Sequence, residues 1–130
     1  MNQARLARVL RNMERDGLTQ IVISSTASVY YLTGYWVEPM ERMLALYIRA
    51  DGTCRLFANA LFALEPQEGL ELVLHQDSDE PTAALAASTE STEPMKPGDE
   101  DKVYIKCPTH IADRVRGYID ALMEGAVGGV

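Results

Sequence analysis

Met43-Leu44-Ala45-Leu46-Tyr47-Ile48-Arg49-Ala50-Asp51-Gly52-Thr53-Cys54-Arg55-Leu56-Phe57-Ala58 is the stretch on which the fold turns. Every residue from Met43 to Ile48 is apolar, the pattern of a strand covered on both faces at the centre of a sheet. Asp51-Gly52 follows at once. This pair predicts a two-residue type I′ hairpin, because both central positions of that turn need φ > 0. Residues 54–58 then read as the returning strand.

Working outward toward the N-terminus, Gln20-Ile21-Val22-Ile23-Ser24 is a short β-branched run, predicted as another strand buried on both faces. Leu6, Val9, Leu10 and Met13 precede it at i, i+3, i+4, i+7 spacing, and Arg5, Arg8, Arg11, Asn12 and Arg15 sit mostly off that stripe. This is an amphipathic helix, with Asn2 as N-cap and Gly17 as the residue that leaves it in αL. Ser24-Ser25-Thr26 can cap a short helix over 27–32, ended by Gly34. Toward the C-terminus, a brief helix over 59–64, a strand over 70–74 and a helix over 79–87 follow. Ser78 or Asp79 is the expected N-cap of the last of these. Residues 88–101 are rich in Ser, Thr, Glu, Pro and Gly and read as an acidic loop or linker. A strand over 103–105 and a helix begun by Pro108, with Ile111, Val115, Tyr118, Ile119 and Leu122 on one face, complete the order α-β-α-β-β-α-β-α-β-α. Such alternation is that of an α/β fold, a mixed β-sheet flanked by helices. Gly128-Gly129 near the end has the look of a severed linker.

Composition narrows the function. The chain has 130 residues, 47% of them hydrophobic and 24% charged, which suits one soluble domain with a real core. Its 12 basic and 19 acidic residues leave a net charge of −7. That balance disfavours nucleic acid and anionic membrane surfaces, both of which are bound chiefly through Lys and Arg. No apolar run reaches the ~18 residues that span a bilayer. The N-terminus starts an amphipathic pattern rather than a secretory h-region, so a cytoplasmic location is expected. Cys54 and Cys107 stand in unrelated contexts and read as buried, inert thiols.

Residues for chemistry are scarce. His75 and His110 are the two histidines, and neither stands in a metal-site spacing with another His or a carboxylate. His75 reads as a strand-end rim residue and His110 as an exposed residue in a first helical turn. Asp77, Asp79 and Glu80 lack the spacing of a calcium loop. Ser24, Ser25 and Ser28 have no nucleophile elbow around them. One segment stands apart: Tyr30-Tyr31-Leu32-Thr33-Gly34-Tyr35-Trp36 places four aromatics in seven residues and leads to Val37-Glu38-Pro39-Met40-Glu41-Arg42. Tyr35 and Trp36 fall on the loop after the helix. Aromatics on a loop beside an Arg suit ligand or interface contacts; covering the sheet edge is the alternative use of the same residues.

At this segment the chain resembles the N-terminal domain of the creatinase/prolidase/aminopeptidase P family, whose members carry Asn-x-x-Tyr-Leu-Thr-Gly-Phe/Tyr after the first strand. The match here is Tyr31-Leu32-Thr33-Gly34-Tyr35, with Ser28 where Asn is usual. Glu41-Arg42, the Asp51-Gly52 turn, residues 56–62 and residues 75–81 are similar too, the last two especially to bacterial Xaa-Pro dipeptidases. The agreement runs from about Leu6 to Ala87. What the resemblance implies is a single non-catalytic domain over 1–130, detached from a C-terminal catalytic domain. In such enzymes that domain holds two divalent metals (Mn, Co or Zn) through two Asp, one His and two Glu. No metal, cofactor or catalytic residue is expected in this chain. The resemblance implies partners in its own catalytic domain and a second subunit of a homodimer, with Tyr35, Trp36 and Arg42 at the substrate-site rim. A domain from a creatinase-like amidinohydrolase and a stand-alone binding module are the competing expectations.

Overall fold

The computed structural model describes residues 1–40, 42–89 and 103–106. The first helix, α1, is Gln3–Asp16. Asn2 caps it: its side-chain oxygen accepts the Arg5 N–H at 3.0 Å. Gly17, at φ 71°, ends it in a Schellman arrangement, with Gly17 N–H donating to the Glu14 carbonyl and Leu18 N–H to that of Met13. Both signals are thus used as the sequence predicts. The strand β1, Gln20–Ile23, is buried throughout. The helix α2, Thr26–Thr33, is capped by Ser25 Oγ on the Ser28 N–H and closed by Gly34 at φ 83°.

Next come β2, Ala45–Arg49, and β3, Cys54–Asn59. Met43 and Leu44 are buried as the apolar run predicts, yet they precede the strand. Apolar residues mark burial, and pairing with β3 begins only at Ala45↔Phe57. The hairpin differs from the expected type I′ turn. Gly52 has φ 97°, whereas Asp51 is not among the residues with positive φ. Gly52 N–H donates to the Arg49 carbonyl and Arg49 N–H to that of Thr53, so three residues, 50–52, form the loop. One left-handed glycine after a tight turn meets the strand twist as well as two left-handed residues do. Asp51 is used differently, accepting the Thr53 N–H at 2.9 Å.

A single 3₁₀ turn, Ala60–Phe62, replaces the brief helix over 59–64. It leads to β4, Glu71–His75, then α3, Pro81–Thr89, and β5, Val103–Lys106. Neither Ser78 nor Asp79 starts α3. Asp79 instead closes the preceding turn, its carboxylate accepting the Gln76 N–H at 2.8 Å while its own N–H donates to the Gln76 carbonyl. Pro81 takes the first helical position, where its missing N–H costs nothing. Ser88 and Thr89 belong to α3; the rest of the expected acidic loop, the Pro108 helix, Cys107 and His110 lie outside the described residues.

The five strands run in the order β4-β3-β2-β1-β5. β1 and β2, and β2 and β3, are antiparallel, while β1 with β5 and β3 with β4 are parallel. The sheet is mixed, as the sequence predicts. Because side chains alternate across a strand, Ile21, Ile23, Leu46, Ile48, Leu56 and Ala58 fall on one face. They pack there against Leu6 and Met13 of α1 and Val29 and Leu32 of α2. Val22, Ala45, Tyr47 and Phe57 fall on the other face, with Met43 and Leu85 of α3.

The topology also fixes which residues share an edge. β3 and β4 run in parallel in the register Asn59↔His75, so both finish on one side of the sheet. β2 runs against β3 and therefore starts on that side, where the loop from α2 arrives.

Candidate functional site

This edge carries the loop that the sequence singles out. Among the described residues, 34–40 and 42–44 contain no helix or strand, so the loop is held by particular ties. Tyr35 N–H donates to Thr33 Oγ1 at 3.1 Å, and Thr26 Oγ1 donates to the Val37 carbonyl at 2.8 Å. Val37 and Met43 are buried, anchoring the loop inside and at its exit. Between them Met40 has φ 56°, a left-handed conformation that non-glycine residues adopt at a cost, and the residue is 76% exposed.

The three expected rim residues have separate surroundings. Tyr35 is half-buried, and its hydroxyl donates to the Glu65 carbonyl. Trp36 is 59% exposed and meets Tyr30 edge to face, ring centroids 5.5 Å apart, a favourable arrangement of two ring quadrupoles. Arg42 turns toward the sheet edge. Its Nε donates to Asp77 Oδ1 at 3.0 Å and its Nη2 to Oδ2 at 3.3 Å, the two-pronged geometry that planar guanidinium and carboxylate groups favour. Exposed Tyr31 is also engaged: the Arg5 guanidinium lies 4.0 Å from its ring centroid and donates to its backbone carbonyl.

Arg42, Met43, Asn59, His75, Asp77 and Asp79 are among the residues lining a cavity of about 170 Å³ at the strand ends. Tyr35 and Trp36 are not among its walls. Asp77 Oδ1 also accepts the Asn59 Nδ2–H at 2.7 Å. With Arg42 and Asn59 both donating to it, the Asp77 carboxyl is held below its ordinary pKa. His75, 8% exposed, closes β4 where a rim residue is expected but is buried there. Burial pushes its pKa down, against the opposing pull of Asp79 and Asp77. Cys54 is a free, buried thiol, raised to about 11 by burial.

Sequence reasoning singled out Arg42 as a candidate but not Asn59 and Asp77 as its neighbours. Both lie in segments that resemble the family, yet Arg42 and Asp77 are 35 residues apart, and no local pattern announces such a pair. It also missed the buried hydrogen bond from Tyr47 Oη to Gln20 Oε1, 2.7 Å. Among the described residues, no three His, Cys, Asp or Glu side chains gather to hold a metal ion. No helix of the described residues is long and apolar enough to cross a membrane.

The family model described as the Creatinase/Prolidase N-terminal domain matches residues 5–103, beyond the Ala87 limit of the motif agreement. The creatinase/prolidase N-terminal domain of an X-Pro dipeptidase from Streptococcus pyogenes superposes with a TM-score of 0.69 at 20% identity, covering 88% of this chain and 87% of that one. The N-terminal domain of Xaa-Pro dipeptidase from Lactobacillus brevis gives 0.66 at 19% identity, covering 88% of this chain and 87% of that one. A prolidase from Thermococcus sibiricus gives 0.65 at 21% identity, with 88% of this chain matched but only 36% of the prolidase chain. At such identities these likenesses establish the fold. No curated protein matches the sequence significantly.

Proposed function

Since this chain belongs to the creatinase/prolidase N-terminal domain family, we propose that it serves as the non-catalytic N-terminal domain of an Xaa-Pro dipeptidase- or aminopeptidase P-like metallopeptidase. The observation that carries this reading is the family match over residues 5–103. The solved relatives being dipeptidases and a prolidase favours peptide substrates over the guanidino compounds of an amidinohydrolase. The described residues do not fit a dimetal centre, and no hydrolytic step is assigned to them. We place the two divalent metals, Mn, Co or Zn, in a catalytic domain outside this chain. There they would polarise the scissile carbonyl and activate a water.

In this reading the domain works in the cytoplasm, with its own catalytic domain and a second subunit as partners. Loop 34–43 forms part of the substrate-site rim. Trp36 supplies exposed aromatic area, Arg42 a fixed cation, and Tyr35 holds the loop to the segment around Glu65. The separate surroundings of the three support a rim whose parts are spread along one loop rather than a single pocket.

Two measurements test this. In the polypeptide that joins this chain to a catalytic domain, Trp36→Ala and Arg42→Ala are each expected to lower kcat/KM for Xaa-Pro dipeptides; unaltered values would remove the rim role. The 130-residue chain incubated with Xaa-Pro dipeptides and Mn²⁺ or Co²⁺ is expected to release no proline. Turnover above a buffer control would overturn the non-catalytic assignment.

A further inference from the structure

The guanidinium of Arg42 is oriented by a relay that begins in the core. Asn59, 4% exposed, is the last residue of β3, and its Oδ1 is fixed by the Leu61 N–H at 2.9 Å. Its Nδ2 is thereby aimed at Asp77 Oδ1, 2.7 Å away. Asp77 stands in a turn whose backbone is closed by Gln76 and Asp79, each donating to the other. Both Asp77 oxygens then take Arg42. On the Arg42 side, its N–H donates to the Pro39 carbonyl at 2.9 Å, and buried Met43 follows.

Stability alone gives this arrangement little purpose. The Arg42 and Asp77 side chains are 32% and 71% exposed, and ion pairs so open to water contribute little to folding. A two-pronged bond does something else: it sets the plane of the guanidinium. We propose that Asp77 and Asn59 are positioning residues, a clamp that fixes the direction in which Arg42 is presented from loop 34–43. The proposal rests on the rim reading for its functional meaning, but the clamp can be measured without it.

The test uses the 130-residue chain labelled with ¹⁵N. The Arg42 Nε–Hε resonance, identified by its loss in Arg42→Lys, is expected to be dispersed and slow to exchange with solvent. Asp77→Asn keeps one acceptor oxygen but removes the charge and turns an NH₂ group toward Arg42 in place of the second acceptor. It should speed that exchange roughly tenfold, the difference between a charge-assisted hydrogen bond and a neutral one. Asn59→Asp keeps the oxygen that accepts from Leu61 but replaces the donor to Asp77 by a second carboxylate, and it should loosen Arg42 as well. Backbone amide resonances far from the site report that each variant is folded. Unchanged Hε exchange in folded Asp77→Asn would overturn the clamp.

Kinetics of the polypeptide joined to a catalytic domain separate the two ideas. Asp77→Asn is expected to reproduce the kcat/KM loss of Arg42→Ala, and the double variant to be no worse than Arg42→Ala, since the two act as one unit. If Arg42→Ala impairs the enzyme and Asp77→Asn does not, the clamp falls and the rim reading stands. If Arg42→Ala changes nothing, the rim reading falls, and the Hε signal alone decides the clamp.

Discussion

Replacing Tyr47 by Phe removes one oxygen from the centre of the sheet and little else. Tyr47 and Gln20 are both fully buried, and the phenol donates to Gln20 Oε1 at 2.7 Å. Burial raises the Tyr47 pKa to about 12, so the hydroxyl keeps its proton at any ordinary pH. Gln20 Nε2 has no hydrogen-bond partner among the described residues. Tyr47→Phe therefore leaves the Gln20 carboxamide wholly unpaired, and a buried acceptor stranded in this way costs about 1–3 kcal/mol. Gln20→Leu leaves the phenol with the Arg49 guanidinium as its remaining hydrogen-bonding neighbour and also deletes the unpaired Nε2, so its cost is the smaller of the two. The double variant removes the stranded amide together with the phenol, and Arg49, which loses the phenol as a neighbour, keeps its ion pair with Asp51. It is expected to be less destabilised than Tyr47→Phe. Urea unfolding of the four proteins, with m unchanged, measures all three differences. A double variant destabilised by the sum of the single costs would refute the reasoning, since the two side chains would then act independently.

Gly34→Ala tests the end of α2. Gly34 sits at φ 83° with open space where a Cβ would be, so backbone strain of roughly 1–2 kcal/mol is the expected loss; an unchanged thermal midpoint would show that the loop relaxes freely. Cys54, its thiol raised to about 11, is expected to resist a thiol reagent at pH 8 in a Cys107→Ser background until urea unfolds the chain. Rapid modification of the folded protein would contradict its burial. His75 is expected to titrate below the ordinary imidazole value of about 6.5, and Asp79→Asn should lower it further, because Asp79 opposes the effect of burial. The unfolded chain then takes up this proton first as pH falls, so His75 adds stability above about 6.5 that is lost toward its lower folded value. NMR titration of the His75 ring checks both, and a midpoint at or above the ordinary value would contradict them.

Several elements could be read in the sequence because their physics is local. Asn2 and Gly17 bound α1, and Ser25 and Gly34 bound α2, since caps and left-handed glycines act within a few residues of themselves. The buried strands announced themselves by apolar runs, although such runs could not say that pairing of β2 starts after Leu44. The Tyr31–Tyr35 motif placed the loop that carries Trp36 and Arg42, and the family to which it points is the one that matches the chain.

Tertiary structure decided what depends on groups far apart in sequence. The parallel pairing of β1 with β5 joins residues more than eighty positions apart, and the register Asn59↔His75 brings two strand ends to one edge. Only there do Asn59, Asp77 and Arg42 meet. The hairpin kept its glycine but not the predicted turn, because one left-handed residue and an Asp51 hydrogen bond already satisfied the strands. Sequence thus determined the elements, through backbone preferences and burial that act over a few residues. The direction of Arg42 and the burial of Gln20 against Tyr47 came from packing, because a side-chain hydrogen bond has no address in the sequence until the sheet sets its two partners side by side.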